Sequence, residues 1–124
     1  MSTQGIEGLY VETHNWGKTV SFWTGLGYKL QFETDHHSGQ LVHPSGGPYV
    51  FVAERPATDE LETYPVVGAL DADAVTVPGA ATVDKPFTPE HWGVVEMLLV
   101  DPDRRHVSVQ APLPEGVVAP ARHG

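Results

Sequence analysis

The sequence predicts an α+β fold made of two tandem modules, each with one strand, one helix and three further strands. A length of 124 residues suits a single domain. Apolar runs, helix caps and turn residues follow the same order in both halves. The string LVHP at residues 41–44 also returns as LVDP at residues 99–102. Such internal repetition is typical of two similar units that complete one another's core.

The first module is predicted over about residues 5–54, and an alternating apolar run at residues 8–12 predicts its first strand. Asn15 is a suitable N-cap for the helix that follows, which ends at Gly25 or Gly27. The apolar residues at helical spacing are Trp16, Val20, Trp23 and, as a further candidate, Phe22. Three more strands are predicted at residues 28–34, 40–42 and 48–54, separated by turns at 35–39 and 43–47.

The second module is predicted over about residues 63–112, after a polar linker at residues 55–62. Asp71 is expected to cap a short helix that runs through Val75 and is ended early by Pro78 and Gly79. The strands are predicted at residues 64–68, near Val83, and at residues 93–100 and 106–110, with a turn at 101–105. The tail at residues 113–124 is rich in Pro, Ala and Gly and is expected to fray.

Composition excludes several classes of function. The formal net charge is −9, with only 7 Lys and Arg, so nucleic acid is not an expected partner. The acidic field serves solubility, or it attracts a cationic small molecule. The absence of cysteine excludes disulfides, thiolate metal sites and a cysteine nucleophile. No apolar run has membrane-spanning length and no signal peptide opens the chain, so we expect a cytoplasmic protein with no membrane contact.

Three segments carry a resemblance to a known family: KTVSFWTGLGY at residues 18–28, WGVVE at 92–96 and DPD at 101–103. The first is similar to the family's helix exit, and the other two to its strand and turn. Over about residues 5–112 the chain resembles the glyoxalase/bleomycin resistance fold, also called the vicinal oxygen chelate superfamily. It departs from the pattern at Arg104, where a turn glycine is usual, and in the second helix, which Pro78 shortens.

The resemblance implies that the two modules curve into a half-open cup of mixed sheet. It also implies a homodimer with ligand pockets near the interface. Metal-dependent members hold a divalent ion with His and Glu on the first and last strands of the modules. A catalytic ion needs about three protein ligands and an open position.

Those ligand positions do not carry metal-binding side chains in this sequence. They fall on Gly8, Tyr64, Ser108 and either Val50 or Val52. We therefore expect neither a bound metal nor another cofactor. The remaining candidates are the seven histidines, which we expect mainly in solvated loops: His14, His36, His37, His43, His91, His106 and His123.

Strand alternation sorts the side chains between the cup and the core. If Gly8 faces the cup, so do Tyr10 and Glu12, while Val11 packs on the helix. The same alternation assigns cup positions to the other candidate ligand-binding residues, which are Tyr64, Trp92, Glu96, His106, Ser108 and Gln110. Aromatic and apolar walls with a few polar groups are typical of ligand pockets, and flat walls favour stacking on flat ligands.

No catalytic residue is assigned from these patterns. A serine elbow, a phosphate loop and a dinucleotide fingerprint are all absent from the sequence. Glu12 and Glu96 are either buried acid–base groups or partners in hydrogen bonds and salt bridges.

The expected function is therefore binding. The resemblance implies a non-metal protein of the bleomycin-resistance type, which confers antibiotic resistance by sequestering a bulky aromatic natural product. The chain also looks like the small proteins that sequester anthraquinone-fused, tiancimycin-type enediynes, and bleomycin is the alternative cargo. Two other functions stay open: a lyase, isomerase or dioxygenase of the superfamily, and an interaction module that binds nothing small.

Overall fold

A computed structural model describes residues 2–121. The chain divides into two compact units, a first unit Glu7–Pro65 and a second unit that joins the residues up to Ile6 to those from Val66 onward. The described residues form one α-helix, one short 3₁₀-helix and eight strands. These are β1 (Gly5–Thr13), α1 (Trp16–Gly25), β2 (Lys29–Glu33), β3 (Ser38–Val42), β4 (Tyr49–Glu54), β5 (Thr63–Gly68), the 3₁₀-helix (Ala72–Ala74), β6 (Thr82–Pro89), β7 (Val94–Val100) and β8 (His106–Pro112).

The first unit orders its strands β2-β3-β4-β1. β1 runs parallel to β4, and the other two pairs are antiparallel. The side chain of Asn15 accepts a hydrogen bond from the backbone N–H of Lys18, which caps α1 as predicted. The helix packs on one face of this sheet, where the buried residues are Leu41, Val50 and Val52 and the partly buried ones include Val11, Trp16, Val20 and Trp23.

Two local predictions for the first unit are wrong. Phe22 is 62% exposed and lies outside the core, because its position on the helix points away from the sheet. The turn predicted at residues 35–39 ends earlier, because β3 already begins at Ser38. Gly39 is a strand residue there, and a Cβ at this position would lie 2.9 Å from the Trp16 ring. The missing side chain of Gly39 thus lets Trp16 of the helix pack closely against β3, and the turn does not require a glycine here.

The second unit orders its strands β5-β8-β7-β6, with β5 parallel to β8 and the other pairs antiparallel. Its core lies on one sheet face and consists of Ala69, Val95, Met97, Leu99, Val109 and Ala111. Asp71 caps the 3₁₀-helix by accepting from the N–H of Asp73, but the helix ends at Ala74 and Val75 is already extended. The strand expected near Val83 is present as β6 and is eight residues long.

Candidate functional site

The aromatic face of the first unit lies on the side of the sheet opposite α1. We define it by four rings: Phe32, Phe51, Tyr10 and Tyr64. The ring centroids are 6.3 Å apart between Phe32 and Phe51, 6.3 Å between Phe51 and Tyr10, and 4.8 Å between Tyr10 and Tyr64. Phe32 is 45% exposed and the other three rings are partly buried, so the row keeps solvent-accessible ring surface.

Strand pairing produces this row. Phe51 on β4 is the register partner of both Tyr10 on β1 and Gln40 on β3, and Gln40 is in turn paired with Phe32 on β2. Residues opposite each other on neighbouring strands project to the same face, within reach of one another's side chains. These pairings bring Phe32, Phe51 and Tyr10 into one row, and Tyr64 joins it from β5, the strand next to β1.

Glu12 supplies a carboxylate beside the aromatic face. Its Oε2 accepts a hydrogen bond from the hydroxyl of Tyr10 at 2.9 Å, and its Oε1 accepts from the backbone N–H of Glu62 at 3.0 Å. The Arg55 guanidinium lies 4.0 Å from Oε2. Burial, followed by the hydrogen bond to Glu12, raises the pKa of Tyr10 well above its ordinary value, so this phenol stays protonated.

Gly8, the first of the predicted metal-ligand positions, lies under an aromatic ring. A Cβ built on Gly8 would lie 2.2 Å from the ring of Tyr49, its register partner on β4. The ring of Tyr49 thus occupies the space that a ligating side chain would need. The prediction that Val50 or Val52 faces the cup is wrong, because both pack on the helix side and Tyr49 and Phe51 take the opposite face.

The second unit carries a polar network on the sheet face opposite its core. We define it as Trp92, Gln110, Ser108, Glu96, Lys85 and Glu90. Buried Glu96 is its centre: Oε2 accepts from the Ser108 hydroxyl at 2.6 Å and from the Gln110 amide at 3.2 Å, and Oε1 accepts from Lys85 Nζ at 2.9 Å. Three protein donors therefore hold this carboxylate in place.

The network extends at both ends. Lys85 also donates to Glu90 Oε1 at 2.8 Å. Burial of the ammonium lowers the pKa of Lys85, but its two carboxylate partners outweigh burial, so the pKa is raised. The indole N–H of Trp92 donates to Gln110 Oε1 at 3.3 Å. Trp92 is 52% exposed, so one polar edge is anchored while much of the ring is open to solvent.

The eight predicted site residues therefore fall into two groups and one outlier. Tyr10, Glu12 and Tyr64 meet in the first unit, whereas the second unit brings together Trp92, Glu96, Ser108 and Gln110. His106 pairs with Asp84, its Nε2 lying 3.2 Å from Oδ2. His123 lies outside the described residues.

The donor set does not fit a divalent ion at the family's metal position. Gly8 has no side chain, the Tyr64 phenol is a poor ligand, and the Ser108 hydroxyl is engaged by Glu96. Within residues 2–121, no three or more His, Asp or Glu side chains lie together in an arrangement that could hold a metal.

Sequence reasoning missed four residues of these two faces, namely Phe32, Phe51, Lys85 and Glu90. The alternation of β4 places its two valines and its two aromatic residues on opposite faces, but both sets are apolar and the sequence does not say which face is buried. Lys85 gave no such signal, because the pairing of β6 with β7 shifts register on both sides of it.

Comparisons with known structures identify the fold. A member of the glyoxalase/bleomycin resistance protein/dioxygenase superfamily from Vibrio splendidus matches with a TM-score of 0.61 and 11% identity, covering 84% of this chain and 96% of that one. The chain has the glyoxalase/bleomycin resistance fold. No family model matches the sequence, and no curated protein matches it significantly.

The fold does not determine the activity. A structure described as NAD-dependent benzaldehyde dehydrogenase from Legionella pneumophila matches equally well, with a TM-score of 0.62, 14% identity and coverage of 85% of this chain and 97% of that one. A bleomycin-binding protein complexed with bleomycin matches at 16% identity over 84% of this chain and 95% of that one, but its TM-score of 0.37 is too low to carry an argument. Function must therefore be argued from the side chains of this chain.

The described residues contain no helix long and apolar enough to cross a membrane.

Proposed function

We propose that this protein binds a flat aromatic small molecule on the aromatic face of its first unit, without a metal and without transforming it. The observation that carries the proposal is the line of four rings, Phe32, Phe51, Tyr10 and Tyr64, each partly accessible on one sheet face. Each well-placed aromatic pair contributes about 0.5–1.5 kcal/mol beyond burial of area. A ligand with fused rings can contact several of these side chains at once.

Glu12 supplies the polar end of the proposed site. An ionised carboxylate offers about four acceptor positions, and protein donors occupy only some of them here. A hydroxyl or amine of the ligand can therefore bond to Glu12 without displacing Tyr10. The net charge of −9 favours a ligand that carries a cationic group.

The arrangement favours binding over turnover. Tyr10 is held protonated beside Glu12, so it is not a base at neutral pH. Of the two carboxylates considered as acid–base groups, Glu96 already accepts three hydrogen bonds from protein donors, which compete with a substrate proton. Stoichiometric capture requires no such displacement.

The cargo that fits these features best is an aromatic antibiotic, and the biological outcome is resistance by sequestration. An anthraquinone-fused enediyne offers the fused rings that the aromatic face can stack on, and bleomycin offers a planar bithiazole and a cationic tail. We further propose that the protein acts as a homodimer, because Ile6, Phe22, Leu26 and Leu70 are all more than half exposed and are apolar. Light scattering at micromolar concentration should give twice the mass of 13.4 kDa.

Titration followed by recovery of the ligand tests this function. Bleomycin and a tiancimycin-type enediyne are titrated separately into the protein while tyrosine and tryptophan fluorescence is followed. One of them should bind at a fixed stoichiometry and be recovered chemically unchanged by mass spectrometry. A modified product formed in more than stoichiometric amount would instead favour the lyase, isomerase or dioxygenase alternative. Absence of binding by either probe would overturn the antibiotic assignment.

A further inference from the structure

A second concave site lies in the second unit, on the sheet face opposite the polar network. It is a cavity of about 390 Å³ between the sheet and the segment that follows the 3₁₀-helix. Val67, Leu99, Val107 and Val109 form its floor, and Val75, Pro78, Ala80 and Ala81 form the opposite wall. The floor belongs to the same sheet face as the hydrophobic core.

The cavity arises from a difference between the two units. In the first unit, the ten-residue helix α1 covers the corresponding face with Trp16, Val20 and Trp23. In the second unit, only a three-residue 3₁₀-helix precedes Pro78, and the side chains that it and the following segment contribute to the core are those of Ala72, Val75 and Ala81. The second unit has methyl and isopropyl groups where the first unit has two indoles. These smaller side chains cover the sheet face but leave space between it and the covering segment.

The lining restricts the chemistry of an occupant. Among the described residues that form the wall, none is aromatic and none is basic, so neither ring stacking nor an ion pair with an anion is offered. The one acidic group is Asp101, whose carboxylate already accepts from the Arg105 side chain at 2.9 Å and from the backbone N–H of Asp103 and of Arg105. The polar remainder is three hydroxyl side chains: Ser2, Thr3 and Thr76.

We propose that this cavity is a binding site for a small, uncharged aliphatic or alicyclic molecule, separate from the aromatic face. Its volume lies near the lower end of the roughly 300–1,000 Å³ of ligand pockets. Its lining is mainly apolar, so an apolar guest that enters it displaces water that has few polar partners there. A hydroxyl on the guest can be met by one of the three hydroxyl side chains.

Methyl-resolved NMR of the intact protein tests the site with two matched probes, 1-adamantanol and adamantane-1-carboxylate. Addition of the alcohol should shift the methyl signals of Val67, Val75 and Val107 and leave those of Val50 and Val52 in the first unit unchanged. The affinity for the carboxylate should be lower by at least about tenfold, since the wall offers no cation. Equal binding of the two probes, or shifts confined to Val50 and Val52, would overturn the proposal.

A cavity-filling variant gives an independent check. Val107→Phe should weaken 1-adamantanol binding by about tenfold or more, because the added ring occupies the cavity. The control is Val118→Phe, the same change at a residue that is 84% exposed and outside the lining, and its affinity should match the parent. Thermal melts check that both variants fold. Retained affinity in a folded Val107→Phe protein contradicts the assignment of the cavity as a binding site. If that variant does not fold, the NMR experiment on the parent chain decides the question.

Discussion

The two units share a strand order but present opposite chemistry on the sheet face away from their helices. The first unit exposes a row of rings joined by van der Waals contact, whereas the second holds a buried carboxylate with three donors. Rings can exchange protein contacts for ligand contacts without loss of hydrogen bonds. A buried carboxylate held by three donors cannot, because each lost donor leaves a buried polar group unsatisfied. This difference is why we propose ligand binding for the first unit and a stabilising role for the polar network of the second.

The largest effect is expected from the centre of the polar network. Glu96→Ala leaves Ser108 and Lys85 without their buried partner and should lower the free energy of unfolding by about 3 kcal/mol. Glu90→Ala removes only the outer partner of Lys85 and should cost about 1 kcal/mol or less. Urea denaturation followed by circular dichroism measures both. Equal losses would show that Glu96 is not the centre of this network.

The next largest effect concerns ligand affinity. Phe51→Leu keeps apolar volume but removes one of the two inner rings of the aromatic face. It should weaken binding by about five- to 150-fold with little change in melting temperature. The sequence also predicts a loss for Trp92→Ala, with Trp92→Phe retaining much of the stacking. Fluorescence titration of the three variants shows whether the aromatic face or Trp92 contributes more to ligand affinity.

Trp23→Ala is the control for these variants. It empties a partly buried helix position and should lower stability first, without a specific effect on affinity. If Trp92→Ala alone weakens binding, the ligand lies against the polar network and the assignment to the aromatic face fails. If Trp92→Ala binds like the parent, the predicted role of Trp92 is wrong.

A smaller effect on stability is expected from the raised pKa of Tyr10, and an alkaline titration measures it. The unfolded chain releases the Tyr10 proton near pH 10.0, while the folded chain holds it to higher pH. The resulting stability is therefore full below pH 10.0 and is lost as the pH rises above it. Tyr10→Phe should make this alkaline decline shallower, and it should leave the tyrosinate absorbance of the folded protein near pH 11 unchanged. A measurable loss of that absorbance in Tyr10→Phe would show that Tyr10 titrates normally.

The smallest effect is expected at a turn. Arg104 adopts a left-handed φ of 67°, a conformation that favours glycine. Arg104→Gly should therefore raise the free energy of unfolding by about 0.5–1 kcal/mol, since the backbone strain is larger than the entropy that glycine adds. A melt that shows no gain would mean that the contacts of the arginine side chain offset the strain.

Sequence reasoning identified the fold and most of one face, and its failures have physical causes. Alternation worked on β7 and β8, where Glu96, Ser108 and Gln110 differ sharply in polarity from the valines between them. It failed on β4, because Val50, Val52 and Phe51 are all apolar and the pattern does not say which face is buried. The contacts of Lys85 depend on an irregular strand pairing, and no short sequence pattern reports that.

The outermost strand of each unit, β2 and β6, is irregular in its pairing. β2 shifts register between Leu30 and Phe32, and β6 shifts on both sides of Lys85 and includes Pro86. Unpaired strand edges recruit other chains into continuous sheets, and bulges, proline and lysine at an edge prevent that recruitment. These irregularities therefore protect a protein with so many exposed apolar side chains from polymerising through its sheet edges at high concentration.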